Sequence, residues 1–228
     1  MKLRKGSGYS KPAIANNLIN QNNDLQYRIL KGAAEIIEYE QLLYKEFSQN
    51  NLRSWVNRHY LKIDGSRYRS PIPYSEQSIY GVYEDSKLIS AIAINFNTER
   101  EMQLEEVGFN LNRNAIDCHY CEALSFFCDR HKHHHSFEVL RNLRIFLSND
   151  LKAKNISFVL STCSRSVIHL YERFGWSIVT KKIIDRRIKY LIQLEILPHP
   201  DLQQLTTNHS TNQRNVTTFS NSSLITNL

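Results

Sequence analysis

The chain has 228 residues, of which 41% are hydrophobic, and this size and composition fit one globular domain with its own core. Lysine and arginine outnumber aspartate and glutamate by 29 to 22, and the resulting net charge of +7 favours an acidic partner. The basic residues are dispersed along the chain, which argues against a nucleic-acid partner. Four clustered cysteines do not suit a secreted disulfide framework and no apolar run could span a bilayer, so we expect a cytoplasmic protein.

Both ends of the chain differ in composition from its middle. Residues 1–24 mix basic side chains with Gly, Ser and Asn, and residues 199–228 are rich in Thr, Asn, Ser and Gln. Such segments bury too little apolar surface to offset the entropy of ordering the chain. We therefore expect two flexible ends around one domain at residues 25–198.

The first half of that domain predicts a strand, two helices and a hairpin. Residues 33–47 place apolar side chains on adjoining helical turns, with Glu40 as the one polar residue on the stripe. Pro71 and Pro73 are unfavourable in helices and strands, so we expect a loop around them. The expected elements are a strand at 27–30, helices at 33–47 and 52–61, a loop at 64–76, and hairpin strands at 78–83 and 87–95.

The second half predicts strands around one long and one short helix. Gly175 suits a left-handed cap that ends the short helix, and Ser161, Thr162 and Ser164 offer turn and N-cap oxygens before it. The expected elements are an extended segment at 102–107, a strand at 121–128, a helix at 137–151, a strand at 156–160, the short helix, and strands at 177–184 and 189–196.

The short helix contains the most informative motif of the chain. Residues 170–176 read Leu-Tyr-Glu-Arg-Phe-Gly-Trp, with Tyr171 four residues before Gly175. This run, and the order of elements over residues 25–197, resembles the GNAT superfamily of N-acyltransferases. The resemblance implies an α/β fold with a mixed central sheet splayed between its fourth and fifth strands and flanked by helices. It also implies that the pantetheine arm of an acyl thioester lies in the split as an added strand.

The resemblance implies roles for two side chains in amine acylation. Tyr171 corresponds to the tyrosine that gives a proton to the departing thiolate, although a helical tyrosine can also serve only in packing. Glu122, in the run Cys-Glu-Ala-Leu-Ser-Phe-Phe-Cys, is similar to the general base of some members. Burial among apolar neighbours would raise its pKa and suit that role. The alternative is a structural carboxylate that pairs with an arginine or lies at the mouth of the strand.

The expected phosphate-binding loop departs from the family. GNAT enzymes have glycines there, so that backbone amides approach the pyrophosphate, whereas residues 130–136 read Arg-His-Lys-His-His-His-Ser. We expect the donor to be held without a metal. The predicted phosphate ligands are Arg130, Lys132, His133, His135 and Ser136, and the predicted ligands of the thioester arm are Ser125, Phe127 and Ser161.

The absence of glycines from residues 130–136 affects which acyl donor we expect. Residues 25–61 and 102–106 resemble a branch of GNAT-like proteins, the long-chain N-acyl amino acid synthases and autoinducer synthases, which take acyl groups from acyl carrier protein. The expected function is therefore transfer of a fatty acyl group from acyl carrier protein or CoA to an amino acid, a peptide side chain or a small amine. Two alternatives stay open: a short-chain acetyl-CoA N-acetyltransferase, and a non-catalytic module that binds acyl thioesters.

A zinc site is a less favoured interpretation of the same region. Cys118 and Cys121 have Cys-x-x-Cys spacing, and Cys128 and the histidines at 131–135 follow. However, Cys121 and Cys128 fall on opposite faces of the predicted strand, and no second tight ligand pair follows. We therefore favour a basic loop that binds phosphate.

Overall fold

The computed structural model describes residues 25–50, 55–113, 116, 118–128 and 136–197. In chain order its helices and strands are β1 (Gln26–Ile29), α1 (Ala33–Asn50), α2 (Trp55–His59), β2 (Leu61–Ile63), β3 (Arg67–Arg69), β4 (Gln77–Glu84), β5 (Lys87–Asn95), α3 (Gln103–Glu106), β6 (Tyr120–Cys128), α4 (Ser136–Ala153), β7 (Phe158–Ser164), α5 (Ile168–Arg173), β8 (Ser177–Ile184) and β9 (Arg187–Glu195). None of the described helices has the length and hydropathy that a bilayer span requires.

Seven strands form one mixed sheet in the order β1-β4-β5-β6-β7-β9-β8, and β2 and β3 form a separate hairpin. Every neighbouring pair in the large sheet is antiparallel except β6 and β7, which are parallel. The parallel pair is possible because α4 makes the long return connection between the two strands. These strands are the fourth and fifth of the large sheet in both chain order and position.

The sheet splits between β6 and β7. Their ladder covers only Tyr120–Glu122 against Phe158–Leu160, although both strands continue further. The Ser161 hydroxyl donates to the Ala123 carbonyl at 2.9 Å, just where the ladder stops. Beyond that point, β5 holds β6 on one side and β9 holds β7 on the other. The backbone therefore opens into a V, as the resemblance implied.

Helices cover both faces of the sheet. The α4–α5 face is one apolar cluster, with α4 also anchored by a 2.5 Å hydrogen bond from the Tyr80 hydroxyl to Asp150. The opposite face packs under α1 and the β2–β3 hairpin, with Tyr39 and Tyr68 fully buried. A third cluster joins α3 to β7 and β9 through Leu104, Leu160 and Leu191.

Glu40, the polar residue on the apolar stripe of α1, has its partners on the hairpin side. Its buried carboxylate pairs with Arg69 at 3.2 Å and Arg67 at 3.5 Å, and it accepts a 2.9 Å hydrogen bond from the Tyr74 hydroxyl. A buried carboxylate is tolerated where opposite charges and donors surround it. Glu40 therefore fastens the hairpin to α1.

Three predicted elements were wrong in part. The loop expected at 64–76 contains β3, which pairs with β2. This hairpin is stabilised because Arg67 and Arg69 form ion pairs with Glu40 of α1. The extended segment expected at 102–107 is the helix α3. Residues 161–164, expected as turn and cap, extend β7 because β9 pairs with it as far as Ser164. The predicted start of the second helix lies outside the described residues.

Candidate active site

Tyr171 is positioned by the way α5 ends. Gly175 has a φ of +80°, a left-handed conformation that favours glycine. Its N–H bonds the Glu172 carbonyl at 2.9 Å, and the Trp176 N–H bonds the Tyr171 carbonyl at 3.1 Å. These two bonds form a Schellman cap, in which the residues in the places of Tyr171 and Trp176 commonly touch. Their rings do so edge to face, with centroids 5.6 Å apart.

An apolar pocket opens beside the Tyr171 ring, between α4, α5 and the sheet. Its free space is about 490 Å³ with the mouth included. Arg144 is the one charged side chain among the described residues that line it. The apolar lining includes Phe126, Leu140, Leu143, Leu170, Phe174 and Leu194.

The Tyr171 hydroxyl is held in its protonated form. Burial raises its pKa well above the ordinary value, and the neighbouring Cys163 thiol raises it further. Burial raises the pKa of the Cys163 thiol to about 12, so this group is also neutral near pH 7. Tyr171 can therefore act as a proton donor and not as a base.

Glu122 is fully buried on β6, where the ladder with β7 ends. Its carboxylate accepts backbone hydrogen bonds from Leu104 at 2.7 Å and Gln103 at 3.1 Å, at the start of α3. Asn95, opposite it in the β5–β6 ladder, also bonds it. These partners are not arginines, and Glu122 lies within the core and not at the mouth of the strand.

The Glu122 carboxyl has a pKa near neutrality. Burial raises its pKa to about 7, although the hydrogen bonds from Leu104, Gln103 and Asn95 act in the opposite direction. A carboxyl with a pKa near the operating pH can both accept and release a proton. Two of its lone pairs are used by the backbone of α3, which leaves acceptor capacity for a further donor.

Tyr171 and Glu122 lie on opposite faces of the split sheet. Tyr171 packs in the cluster that contains Cys121 and Ala123 of β6. Glu122 lies between those two residues, and successive side chains of a strand point to opposite faces. A thioester in the V would thus have a proton donor on the α5 side and a carboxylate on the α3 side.

The other residues predicted on the two strands have different surroundings. Ser161 bridges to Ala123 at the apex of the V. Ser125 is buried and its hydroxyl is 2.5 Å from the Tyr39 hydroxyl of α1, while Phe127 packs in the α1-side core. A β-bulge in β6 explains why the side chains of Ser125 and Phe127 both face α1. Between Ile92 and Ile94, two residues of β6 lie opposite one residue of β5. These side chains therefore do not line the apolar pocket.

The predicted phosphate-binding residues belong to the segment at 130–136. Arg130, Lys132, His133 and His135 lie outside the described residues, and Ser136 is described only as the first residue of α4. The histidines of the zinc alternative lie there too. In the part of the chain that the structure describes, no three metal-ligating side chains converge.

Sequence reasoning missed two residues of this site, Asn95 and Tyr60, and it named Arg144 only as a contact for an acidic carrier protein and not as part of a pocket. Asn95 and Arg144 come to the site through the sheet register and through the α4–α5 packing. Tyr60, at the end of α2, brings a buried hydroxyl to the Glu122 side. Only Arg144 has a local signal, because its position in the sequence lies on the apolar stripe of α4. Asn95 and Tyr60 reach the site through tertiary contacts, which have no local signal.

Comparisons with known proteins were made by sequence and by structure. No family model and no curated protein matches the sequence. The structure is similar to the acyl-homoserine lactone synthase LasI, with a TM-score of 0.62 and 12% identity over 78% of this chain and 93% of that one. It is also similar to the CoA-dependent acyl-homoserine lactone synthase MesI, with a TM-score of 0.57 and 10% identity over 82% and 95%.

A third similar structure is FeeM, an N-acyl amino acid synthase from uncultured soil microbes, with a TM-score of 0.54 and 11% identity over 82% and 96% of the two chains. The chain has the GNAT fold. These structures represent the branch of GNAT-like proteins that the sequence resembles, which confirms that prediction at the level of fold.

Proposed function

We propose that this GNAT-fold chain is an N-acyltransferase that moves an acyl group from a thioester of acyl carrier protein or CoA to a primary amine. The observation that carries the proposal is the split between β6 and β7, with the Tyr171 phenol on one face and the Glu122 carboxyl on the other. The acceptor class comprises amino acids, peptide side chains and small amines.

The proposed reaction forms a C–N bond and breaks a C–S bond. The amine nitrogen attacks the thioester carbonyl, and Glu122 takes the proton that the nitrogen loses. The C–S bond then breaks, and Tyr171 gives its proton to the departing sulfur. The tyrosinate regains a proton from Glu122, directly or through solvent, which returns both groups to their starting states.

The acyl group is proposed to be a fatty acyl chain in the pocket beside Tyr171. The described lining of that pocket is apolar except for Arg144. Burial of each methylene of an alkyl chain is worth about 0.8 kcal/mol, so an apolar pocket favours long chains over acetyl groups. Because Tyr171 borders the pocket, a chain bound there would hold its thioester near the phenol.

The phosphate of the donor is proposed to bind the basic segment before α4. Arg130, Lys132, His133, His135 and Ser136 would contact it, and the N–H groups of the first turn of α4 would add a favourable dipole. Ser161 would stay at the apex of the V, and the backbone of Ser125 and Phe127 on β6 would pair with the pantetheine arm.

The test is acyl transfer by the full chain, with products identified by intact-mass analysis. Decanoyl acyl carrier protein and decanoyl-CoA are each incubated with leucine, putrescine and a lysine-containing peptide. We expect the mass of at least one amine to increase by one decanoyl group. Donor binding without any acylated amine would contradict the proposal and favour a non-catalytic binding module. Transfer of acetyl but not decanoyl groups would contradict the fatty acyl assignment alone.

A further inference from the structure

The apolar pocket beside Tyr171 has one charged group at its mouth. Among the described residues that line the pocket, Arg144 is the one charged side chain, and the others are aliphatic or aromatic. Arg144 is exposed to solvent, so its guanidinium lies where the pocket opens and not in its interior. A ligand that matches the whole pocket therefore has an apolar body and one polar end.

The packing of Arg144 leaves its N–H groups available to such a ligand. A β-carbon placed on Gly175 would lie 2.7 Å from Nη2, 2.8 Å from Nη1 and 2.9 Å from Cζ of Arg144. Because these three distances are nearly equal, one flat face of the guanidinium rests against the end of α5. The N–H groups lie in the plane of the guanidinium, so this contact does not use them.

The charge of Arg144 is not matched by a carboxylate among the described residues. The ion pairs found there join other arginines to acidic side chains, as Arg67 and Arg69 pair with Glu40 and Arg113 pairs with Glu105. An unpaired arginine on an open surface is simply solvated. Arg144 differs because it borders an apolar cavity, so an anion bound to it can place an attached alkyl chain inside.

A carboxylate with an alkyl chain matches both parts of the pocket. The planar guanidinium can pair with a carboxylate through two parallel N–H bonds, which are among the stronger hydrogen bonds in proteins. Each methylene that leaves water for an apolar pocket adds about fourfold to the affinity. A neutral acyl chain leaves the guanidinium unpaired, and an anion without a chain leaves the cavity empty.

We infer that the pocket is a binding site for a free fatty acid, with its chain between α4 and α5 and its carboxylate on Arg144. The same pocket is proposed above to hold the acyl chain of the donor. A bound fatty acid and the acyl donor would therefore exclude each other, which makes the fatty acid a competitive inhibitor. The inhibition rests on the proposed function, whereas the binding does not.

The test is binding of decanoate, decanol and hexanoate to the full chain near neutral pH, below the concentration at which decanoate forms micelles. Equilibrium dialysis gives the affinities, and the fluorescence of Trp176, which lines the pocket, gives the location. The other tryptophan, Trp55, stacks on His59 in the cluster under α1, so it contributes a constant background.

Two variants isolate the guanidinium. Arg144→Met removes the charge and keeps an apolar side chain of similar length. Lys152→Met is the matched control, because it removes an exposed charge from the same helix outside the pocket. Melting temperatures show that both variants are folded.

We expect the wild type to bind decanoate about tenfold more tightly than decanol, as for a hydrogen bond to a charged group, with a change in Trp176 fluorescence. Hexanoate should bind more weakly, by about fourfold for each missing methylene. Arg144→Met should bind decanoate and decanol equally, while Lys152→Met matches the wild type. The inference would be overturned by absence of decanoate binding, by hexanoate binding equally tightly, or by a preference for decanoate that survives Arg144→Met.

Acyl-transfer kinetics separate this inference from the proposed function. With an active wild type, decanoate should raise the KM for the decanoyl donor and leave kcat unchanged, and Arg144→Met should weaken this inhibition. A fall in kcat at constant KM would contradict a shared pocket. A chain that binds decanoate as expected but acylates no amine would overturn the proposed function and leave the fatty acid site standing.

Discussion

The guanidinium of Arg144 on α4 lies against the backbone of Gly175 at the end of α5. A β-carbon at residue 175 would fall 2.7 Å from Nη2 and 2.8 Å from Nη1 of that arginine. Real β-carbons almost never approach other heavy atoms so closely. Gly175 is thus required for its positive φ, whereas an added β-carbon would meet only the flexible end of the Arg144 side chain.

Gly175→Ala is expected to destabilise the protein by about 1–2 kcal/mol, mainly because alanine is strained at a positive φ, with a smaller steric contribution from its contact with the guanidinium. Adding Arg144→Ala should recover the steric part of this loss and leave the backbone part. The measurement is a double-mutant cycle of unfolding free energies in urea. Strict additivity of the two changes would contradict the contact between Arg144 and Gly175.

Periodicity and caps predicted most of the fold. The α1 stripe, the β4–β5 hairpin, the apolar side of α4 and the Tyr171-to-Gly175 spacing are local patterns, and each gave an element close to its observed place. The spacing is informative because it is also the spacing of a Schellman cap. The motif therefore has a structural cause in addition to any role in chemistry.

The failures came where tertiary contacts decide the local structure. Residues 102–107 have no helical periodicity, but the Glu122 carboxylate accepts the N–H groups of Gln103 and Leu104 and stabilises the first turn of α3. Glu40 was visible as an anomaly, but its arginine partners lie 27 and 29 residues along the chain. Such long-range pairs have no local signature, which is also why Tyr60 was missed.

Tyr171→Phe is expected to lower kcat by about a hundredfold, the lower end of general acid catalysis, with little change in the KM for the donor. The ring and its contact with Trp176 are kept, so only the proton for the leaving sulfur is lost. Tyr44→Phe on α1 serves as the matched control, since Tyr44 packs on Tyr68 away from the V. A kcat equal to that of the control would make Tyr171 a packing residue.

Glu122→Gln is expected to remove the pH dependence of the reaction near neutrality. If Glu122 is the base, kcat/KM of the wild type rises as pH increases through about 7, because only the ionised carboxylate accepts a proton. The variant should lack that rise, so its deficit grows with pH and is greatest above the pKa. Rates measured from pH 5.5 to 9 check this, and parallel profiles for the two proteins would assign Glu122 to stabilising α3 alone.

The same carboxyl predicts how stability depends on pH. Its folded pKa of about 7 exceeds the ordinary value of 4.5, so the folded state retains a proton that the unfolded state releases. Wild-type stability should therefore fall as pH rises from about 4.5 to 7, by about 3 kcal/mol at most at 1.36 kcal/mol per pKa unit. Glu122→Gln should lack this slope in urea unfolding. An identical slope in both proteins would contradict the raised pKa.

Leu140→Trp is expected to shift donor preference towards shorter acyl chains. Leu140 lines the pocket beside Tyr171, and a larger ring there would occupy the space proposed for the distal methylenes. Ile145→Trp is the control, because Ile145 is on the same helix but is exposed and does not line the pocket. The measurement is kcat/KM across donors of four to twelve carbons. If both variants keep the wild-type chain-length profile, the acyl chain binds elsewhere.

The last prediction concerns the choice of acyl donor, and it rests on the glycine-free segment at residues 130–136. We expect a backbone without glycines to approach a pyrophosphate less closely, which would weaken the binding of CoA, whereas a carrier protein would bring a single phosphodiester and an acidic surface. We therefore expect a higher kcat/KM for decanoyl acyl carrier protein than for decanoyl-CoA when both compete, and a smaller advantage at raised salt.

Charge reversal on α4 tests that preference. Arg141 is exposed near the start of the helix and lies outside the pocket, whereas Arg144 also contacts Gly175, so Arg141→Glu is the cleaner change. Lys152→Glu is the matched control, because it makes the same charge change about 16 Å further along the helix. Arg141→Glu should lower kcat/KM for the carrier-bound donor and spare that for decanoyl-CoA, while Lys152→Glu should affect neither. Equal losses for both donors, or a wild-type preference for acetyl-CoA, would exclude a carrier protein as the donor and leave the GNAT fold unaffected.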